Sequence, residues 1–241
     1  ALILAVAILG EPSIAKTQNL ERLLTLGAGL VAGLVATRGG FIGRPWLNAL
    51  IYRATCFSVM LVSYLMLRGL LPVVNSNAYD AQLYQLDLRV FGVEPSVWMD
   101  QFVTPRTTEW FAFFYYSYFI LLAVHVLPFV FVSRRMKLFA EFSLGFMSLY
   151  CVAHLLYGVV PGYGPVRYLA PVFHHQLPGG FWLDMVIDTV TTAGAQKDIF
   201  PSLHTGGPTF LFLFSLRHRD ILPFRFSWPI ALVFAVNIIT A

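Results

Sequence analysis

Two apolar runs, "WFAFFYYSYFILLAVHVLPFVFV" (Trp110 to Val132) and "LFAEFSLGFMSLYCVAHLLYGVV" (Leu138 to Val160), stand only a short basic link apart. Each exceeds the roughly 20 apolar residues that carry an α-helix across a bilayer. Inside lipid the backbone must satisfy its own hydrogen bonds, so runs like these are helices and demand helical neighbours. Composition agrees: 58% of the chain is hydrophobic and 12% charged, where a soluble domain carries about 25% charged residues. Mean hydropathy is +0.71. The expected fold is all-α, a polytopic membrane helix bundle forming one integral-membrane domain over residues 1–241.

Five further runs extend the pattern. "ATCFSVMLVSYLMLRGLLPVV" (Ala54 to Val74) is nearly as long. "LLTLGAGLVAGLVAT" (Leu23 to Thr37) is shorter and sets Gly29 and Gly33 at the spacing that lets helices approach closely. "TGGPTFLFLFSL" (Thr205 to Leu216) is also short. "ALILAVAILG" opens the sequence with neither a methionine nor a basic flank, so it does not read as a signal peptide. "WPIALVFAVNIITA" stops at Ala241 in mid-run. The sequence is therefore expected to be a piece of a longer chain at both ends, with seven apolar segments and six connections.

Basic residues sort themselves among those connections. The 38–53 link holds Arg38, Arg44 and Arg53, the 133–137 link Arg134, Arg135 and Lys137, and the 217–227 link Arg217, Arg219 and Arg225. The long 75–109 and 161–204 connections hold two each: Arg89 and Arg106, then Arg167 and Lys197. By the positive-inside rule the long loops are expected on the non-cytoplasmic side. The net charge of +4 thus reads as a topology signal and not as a nucleic-acid patch. Cys56 and Cys151 lie within apolar runs and are expected to be free thiols. Within the 75–109 interfacial loop, Tyr79, Leu83, Leu86 and Val90 recur at helical spacing. An amphipathic helix fits there, lying in the membrane interface or packed on the bundle. No dinucleotide loop, phosphate-binding loop, zinc motif or hydrolase elbow is present.

Polar chemistry gathers in the 161–204 connection. It opens with "VVPGYGPVRYLAP", containing Arg167, and closes with "KDIFPSLHTGG". Pro201 and Ser202 stand where a helix would begin, Ser being a good N-cap and Pro favoured near helix starts. His204 falls in the first turn, followed by Gly206 and Gly207. A helix N-terminus offers free N–H groups and partial positive charge, a setting suited to phosphate. Arg167 supplies a forked donor, Lys197 a point charge, Ser202 a hydroxyl, Gly206 close access to the backbone and His204 a group that exchanges protons near neutral pH.

Pro201, Ser202, Leu203 and His204 form a Pro-Ser-x-His stretch that resembles the second motif of the type 2 phosphatidic acid phosphatase superfamily, which includes lipid phosphatases and vanadium haloperoxidases. The "FPSLH" form looks most like the branch of the inositol phosphorylceramide synthases, which move a phospho-headgroup between lipids. "PGYGPVRYLAP" is similar to that branch's Pro-rich first motif at Arg167, and "LDLRVFGVEP" resembles an upstream stretch. The resemblance runs from about Tyr79 onward. It implies that residues 138–241 are part of a phosphatase-like core lacking its last helix. It also implies a metal-independent, cofactor-free lipid phosphatase or phospho-headgroup transferase, with a membrane lipid as substrate. Arg167, Lys197, Ser202 and Gly206 would bind phosphate, and His204 would be the general acid. Binding or transport of a lipid phosphate without catalysis is the other reading.

In the family a third motif, H-x-x-x-D, supplies the nucleophilic histidine. Here His218 is the only later histidine, and Leu222 stands four positions beyond it. The missing motif is expected past Ala241. His125 and His154, inside apolar runs, are expected to be structural, and His174 and His175 to be loop surface. Arg68, near a helix end, is expected to extend toward the interface. Asp184 and Asp188 share a helical face without an assigned role.

Overall fold

The computed structural model describes residues 14–131 and 135–240. The apolar run at 1–10, the basic pair's Arg134 and the last residue, Ala241, lie outside the described residues. Among the described residues the chain forms ten α-helices: α1 (Ile14–Arg38), α2 (Pro45–Val74), α3 (Asp80–Phe91), α4 (Pro95–Met99), α5 (Pro105–Phe131), α6 (Met136–Val159), α7 (Pro165–Tyr168), α8 (Phe181–Ala193), α9 (Leu203–Arg217) and α10 (Leu222–Thr240). A 3-10 turn covers Asp100–Phe102.

Five helices are long and apolar enough to cross a bilayer: Thr17–Arg38, Pro45–Val74, Pro105–Phe131, Met136–Val159 and Leu222–Thr240. The chain is an integral membrane protein. Seven segments were expected. One is outside the described residues, and α9 is not among the five. At 15 residues, α9 rises only about 22 Å, short of the roughly 30 Å hydrocarbon core.

Lipid tails are as apolar as leucine, so helix association here rests on close packing and on interhelical hydrogen bonds. The core between α5, α6, α9 and α10 is aromatic. Phe142 stacks on Phe129 at 4.3 Å between ring centroids and on Phe146 at 5.4 Å, and meets Phe214 edge-on at 5.1 Å. Trp110 Nε1 donates to Asn237 Oδ1 at 2.8 Å, linking α5 to α10. In the glycine pair of α1, only Gly33 is a close approach: a Cβ there would fall 2.6 Å from Thr55 on α2, whereas Gly29 faces open space.

Arg53 departs from its expected place in a loop. Because α2 begins at Pro45, Arg53 lies inside a spanning helix and is buried. Its guanidinium donates to Phe129 O at 3.0 Å and sits 4.6 Å over the Phe139 ring. It caps carbonyls at the end of α5, where α5 has run out of amides to offer.

The 161–204 connection contains helix α8, which carries Asp184 and Asp188. Helix α8 is short and rich in Val, Ile and Thr, types with modest helix propensity. Both of its ends are held by distant side chains. Glu109 accepts the Trp182 and Leu183 amides, each at 3.0 Å. Arg68 donates to the Thr191 and Thr192 carbonyls at 2.6 and 2.9 Å. A carboxylate at the N-terminus and a guanidinium at the C-terminus complement the helix dipole. Arg68 therefore does more than extend toward the interface. On the loop before α8, Asp100 accepts the His174 and His175 amides at 2.9 and 3.3 Å and lies 3.2 Å from His175 Nδ1. Cys56 and Cys151 are free thiols.

Candidate functional site

Three stretches far apart in sequence meet at one place. The Tyr79 amide donates to Pro161 O at 2.8 Å, and the Gly164 amide donates to Asp80 Oδ1 at 2.7 Å. The Gly162 amide donates to Lys197 O at 3.2 Å, and Gly162 and Asp198 form an isolated parallel bridge. The start of α3, the "PGYGPVR" loop and the "KDIFPSLH" stretch are thus tied edge to edge. Gly164 adopts φ +84° and admits Ile199 against its Cα, where a Cβ would come within 2.6 Å. Only glycine meets both demands without strain.

Ser202 caps α9 as the sequence predicts, its Oγ accepting the Thr205 amide at 3.2 Å. His204 lies in the first turn. Its ring stacks on Tyr115 at 4.2 Å and 8° and leans on Tyr118 at 4.5 Å. Tyr118 is itself hydrogen-bonded to Tyr150. Gly207 makes this packing feasible: a Cβ there would fall 2.9 Å from the Tyr118 ring. The Gly206 amide closes the first helical turn on Ser202 O at 2.9 Å, and a Cβ there would come 3.4 Å from Leu149.

His204 Nε2 is buried without a hydrogen-bond partner. Such groups call for an explanation, because desolvation without a partner costs about 1–3 kcal/mol. His125 and His154 share the property, so it does not single out His204. What distinguishes His204 is its position in the first turn of α9, beside the bridged loops.

Arg167 is exposed, and its guanidinium lies 4.0 Å over the Tyr163 ring. Among the described residues no carboxylate pairs with it. Lys197 Nζ sits 5.3 Å from the centroid of the same ring, which brings both cations to Tyr163. Lys197, however, is 3% exposed. Its ammonium donates to Ser76 O at 3.0 Å and Asn77 O at 2.8 Å, with Asn75 O at 3.5 Å. The sequence suggested a point charge for phosphate; in the fold its ammonium straps residues 75–77 to the loop. No hydrogen bond or ring contact joins Arg167 directly to His204 among the described residues. They are connected through the Gly162–Asp198 bridge.

Asp198 was missed by sequence reading. It accepts the Tyr64 hydroxyl at 3.0 Å. Burial pushes its carboxyl above the usual range, with its own amide and Tyr64 opposing. Its signal in the sequence was adjacency to Lys197, which reads as an ordinary solvated pair.

A cavity of about 200 Å³ lies between α3 and the bridged loops, lined by Asp80, Tyr84, Asp87, Glu94, Tyr168 and Phe200 among others. Its charged lining is acidic and carries no basic side chain, so it is not where a phosphate would sit. Among the described residues no cluster of His, Cys, Asp and Glu could hold a metal ion. No family model, curated protein or solved structure matches the chain.

Proposed function

We propose that this protein is an integral-membrane enzyme acting on a lipid phosphate ester, as a phosphatase when water is the acceptor and as a headgroup transferase when an alcohol is. The observation that carries the reading is the Gly162–Asp198 bridge, which fastens the arginine loop to the entrance of α9. Arg167, with no carboxylate partner among the described residues, presents a forked donor for phosphate oxygens. Ser202 and the positive end of α9 add a hydroxyl and a favourable dipole. His204 protonates the departing oxygen. Fixed positive groups stabilise the charge on the transferred phosphate. Lys197 acts through the loop it holds. Attack on phosphorus is not assigned to a residue of 1–241, since no H-x-x-x-D follows His204. The loop is proposed to face the non-cytoplasmic side.

A second reading is non-catalytic binding or transport of a lipid phosphate. The burial of His204 Nε2 favours it, because a phosphate reaches that atom only if its surroundings open. Reconstitution in phosphatidylcholine vesicles with a panel of lipid phosphate esters, with and without inositol, separates the two. Phosphate release or headgroup exchange supports the enzyme. Saturable binding without turnover supports the carrier. Neither binding nor turnover for any lipid phosphate contradicts both.

A further inference from the structure

The α3–α4 segment exposes an apolar patch outside the spanning helices. Val90, Phe91 and Val93 at the end of α3, and Trp98 and Phe102 beyond it, all face outward; Val90 is 63% and Trp98 51% exposed. The Trp98 and Phe102 rings meet edge-on at 5.2 Å, so the two side chains present one aromatic surface. Gly92, at φ +75°, ends α3 and turns the chain. Glu94 then caps α4, accepting the Val97 amide at 2.6 Å. The turn is thus built, and it keeps the two apolar groups within a few residues of each other along the chain. The inner side of α3 is mixed: Asp80, Leu83, Tyr84, Leu86 and Asp87 line the cavity against the bridged loops.

Chain connectivity selects the occupant of that patch. Spanning helix α2 ends at Val74 and spanning helix α5 begins at Pro105. Only residues 103 and 104 separate Phe102 from α5, a reach of about 10 Å at full extension. At the other end, residues 75–79 allow about 20 Å from Val74 to Asp80 and are strapped down by Lys197. The segment therefore stays at the membrane surface, where the lipid-facing sides of α2 and α5 end. Tryptophan and phenylalanine suit that depth, with an apolar body and, for Trp, a polar edge.

We propose that residues 86–102 form a helix–turn–helix anchor that inserts Val90, Phe91, Val93, Trp98 and Phe102 into the interfacial layer of the lipid bilayer. Residues 80–102 carry one arginine against four carboxylates, so attachment is by apolar burial and not by attraction to anionic lipid. Because Asp80 on the same helix holds Gly164, the anchor sets the height of the Arg167 loop above the bilayer. The inference stands apart from the phosphate reading.

Spin labels test it. With Cys56 and Cys151 replaced by Ala, single cysteines at Val90, Phe102 and Gln85 are labelled in protein reconstituted into phosphatidylcholine vesicles. All three side chains are exposed, so labelling leaves the core intact. Labels at Val90 and Phe102 should collide with oxygen severalfold more than with a water-soluble nickel chelate, and the label at Gln85 should show the reverse. Neither high salt nor added anionic lipid should change the pattern. As a second measurement, acyl-brominated lipid should quench fluorescence of the unlabelled protein more than that of Trp98→Phe. Nickel access at Val90 and Phe102 equal to that at Gln85 would overturn the proposal. So would dipolar broadening at high dilution in lipid, which would show a second copy covering the patch.

Discussion

Across 84 positions of sequence, the Gly164 amide donates to Asp80 Oδ1 at 2.7 Å. Asp80 is buried, and this bond holds the arginine loop against the first turn of α3. A buried amide that loses its acceptor costs about 1–3 kcal/mol. Asp80→Ala should lower stability by that order, measured by thermal unfolding in detergent, and should expose the 161–168 loop to proteolysis. Gly164→Ala should act similarly. At φ +84° and ψ 170° a residue with a Cβ is strained by about 1–3 kcal/mol, and the Ile199 contact adds to it. Unchanged loop proteolysis in both variants would remove the tie from the account.

Lys197 makes a different prediction from a surface lysine. Lys197→Met keeps the aliphatic stem and deletes the ammonium, leaving the Ser76 and Asn77 carbonyls without their donor. A loss of about 1–3 kcal/mol is expected. Hydrogen exchange should rise at residues 75–79 and 161–164 together. Exchange confined to the neighbourhood of residue 197 would mean that the strap does not join the two segments.

The helices that lie in lipid were the legible part of this fold. Trp110 to Val132 and Leu138 to Val160 are marked by length and hydropathy, and α5 and α6 follow them closely. The Ser202 cap was legible too, because capping is local. The ends of helix α8 were not, since they depend on Glu109 and Arg68, which are more than 70 residues away. The same holds for Lys197, whose partners lie about 120 positions back, and for Arg53, whose burial depends on where α2 begins. Long-range hydrogen bonds have no period that a single sequence displays.

Two loop carboxylates should respond to pH with opposite signs. Burial pushes Asp100 upward, but the His174 amide and the ring and amide of His175 together pull its carboxyl below the ordinary 3.8. Its stabilising effect is present above that value and is lost as pH falls through the lower folded-state value. Asp198 is held above 3.8 by burial, so the folded state keeps its proton longer and stability falls as pH rises through that range. Asp100→Asn should therefore lower the Tm at neutral pH, with the difference shrinking on acidification. Asp198→Asn should leave the neutral Tm unchanged or raised. Melting curves from pH 3 to 8 check both. Differences that do not vary with pH would contradict the assignment.

Sidedness can be measured directly. Cysteine at Arg134 should resist an impermeant thiol reagent applied from outside, while cysteine at Ala170, exposed in the long loop, should react. The reverse pattern would place the bridged loops in the cytoplasm.

The most direct measurement of the central claim is the leaving-group dependence of His204→Ala. A general acid typically contributes about 100- to 10,000-fold to rate. Turnover of a lipid phosphate ester, whose departing alkoxide needs a proton, should fall within that range. A nitrophenyl phosphate ester, whose leaving group needs none, should lose much less. Arg167→Ala should slow both substrates alike, because it acts on the transferred phosphate. Equal losses for both esters in His204→Ala would contradict the acid role, and intact turnover would contradict the reading of "FPSLH" as a catalytic motif.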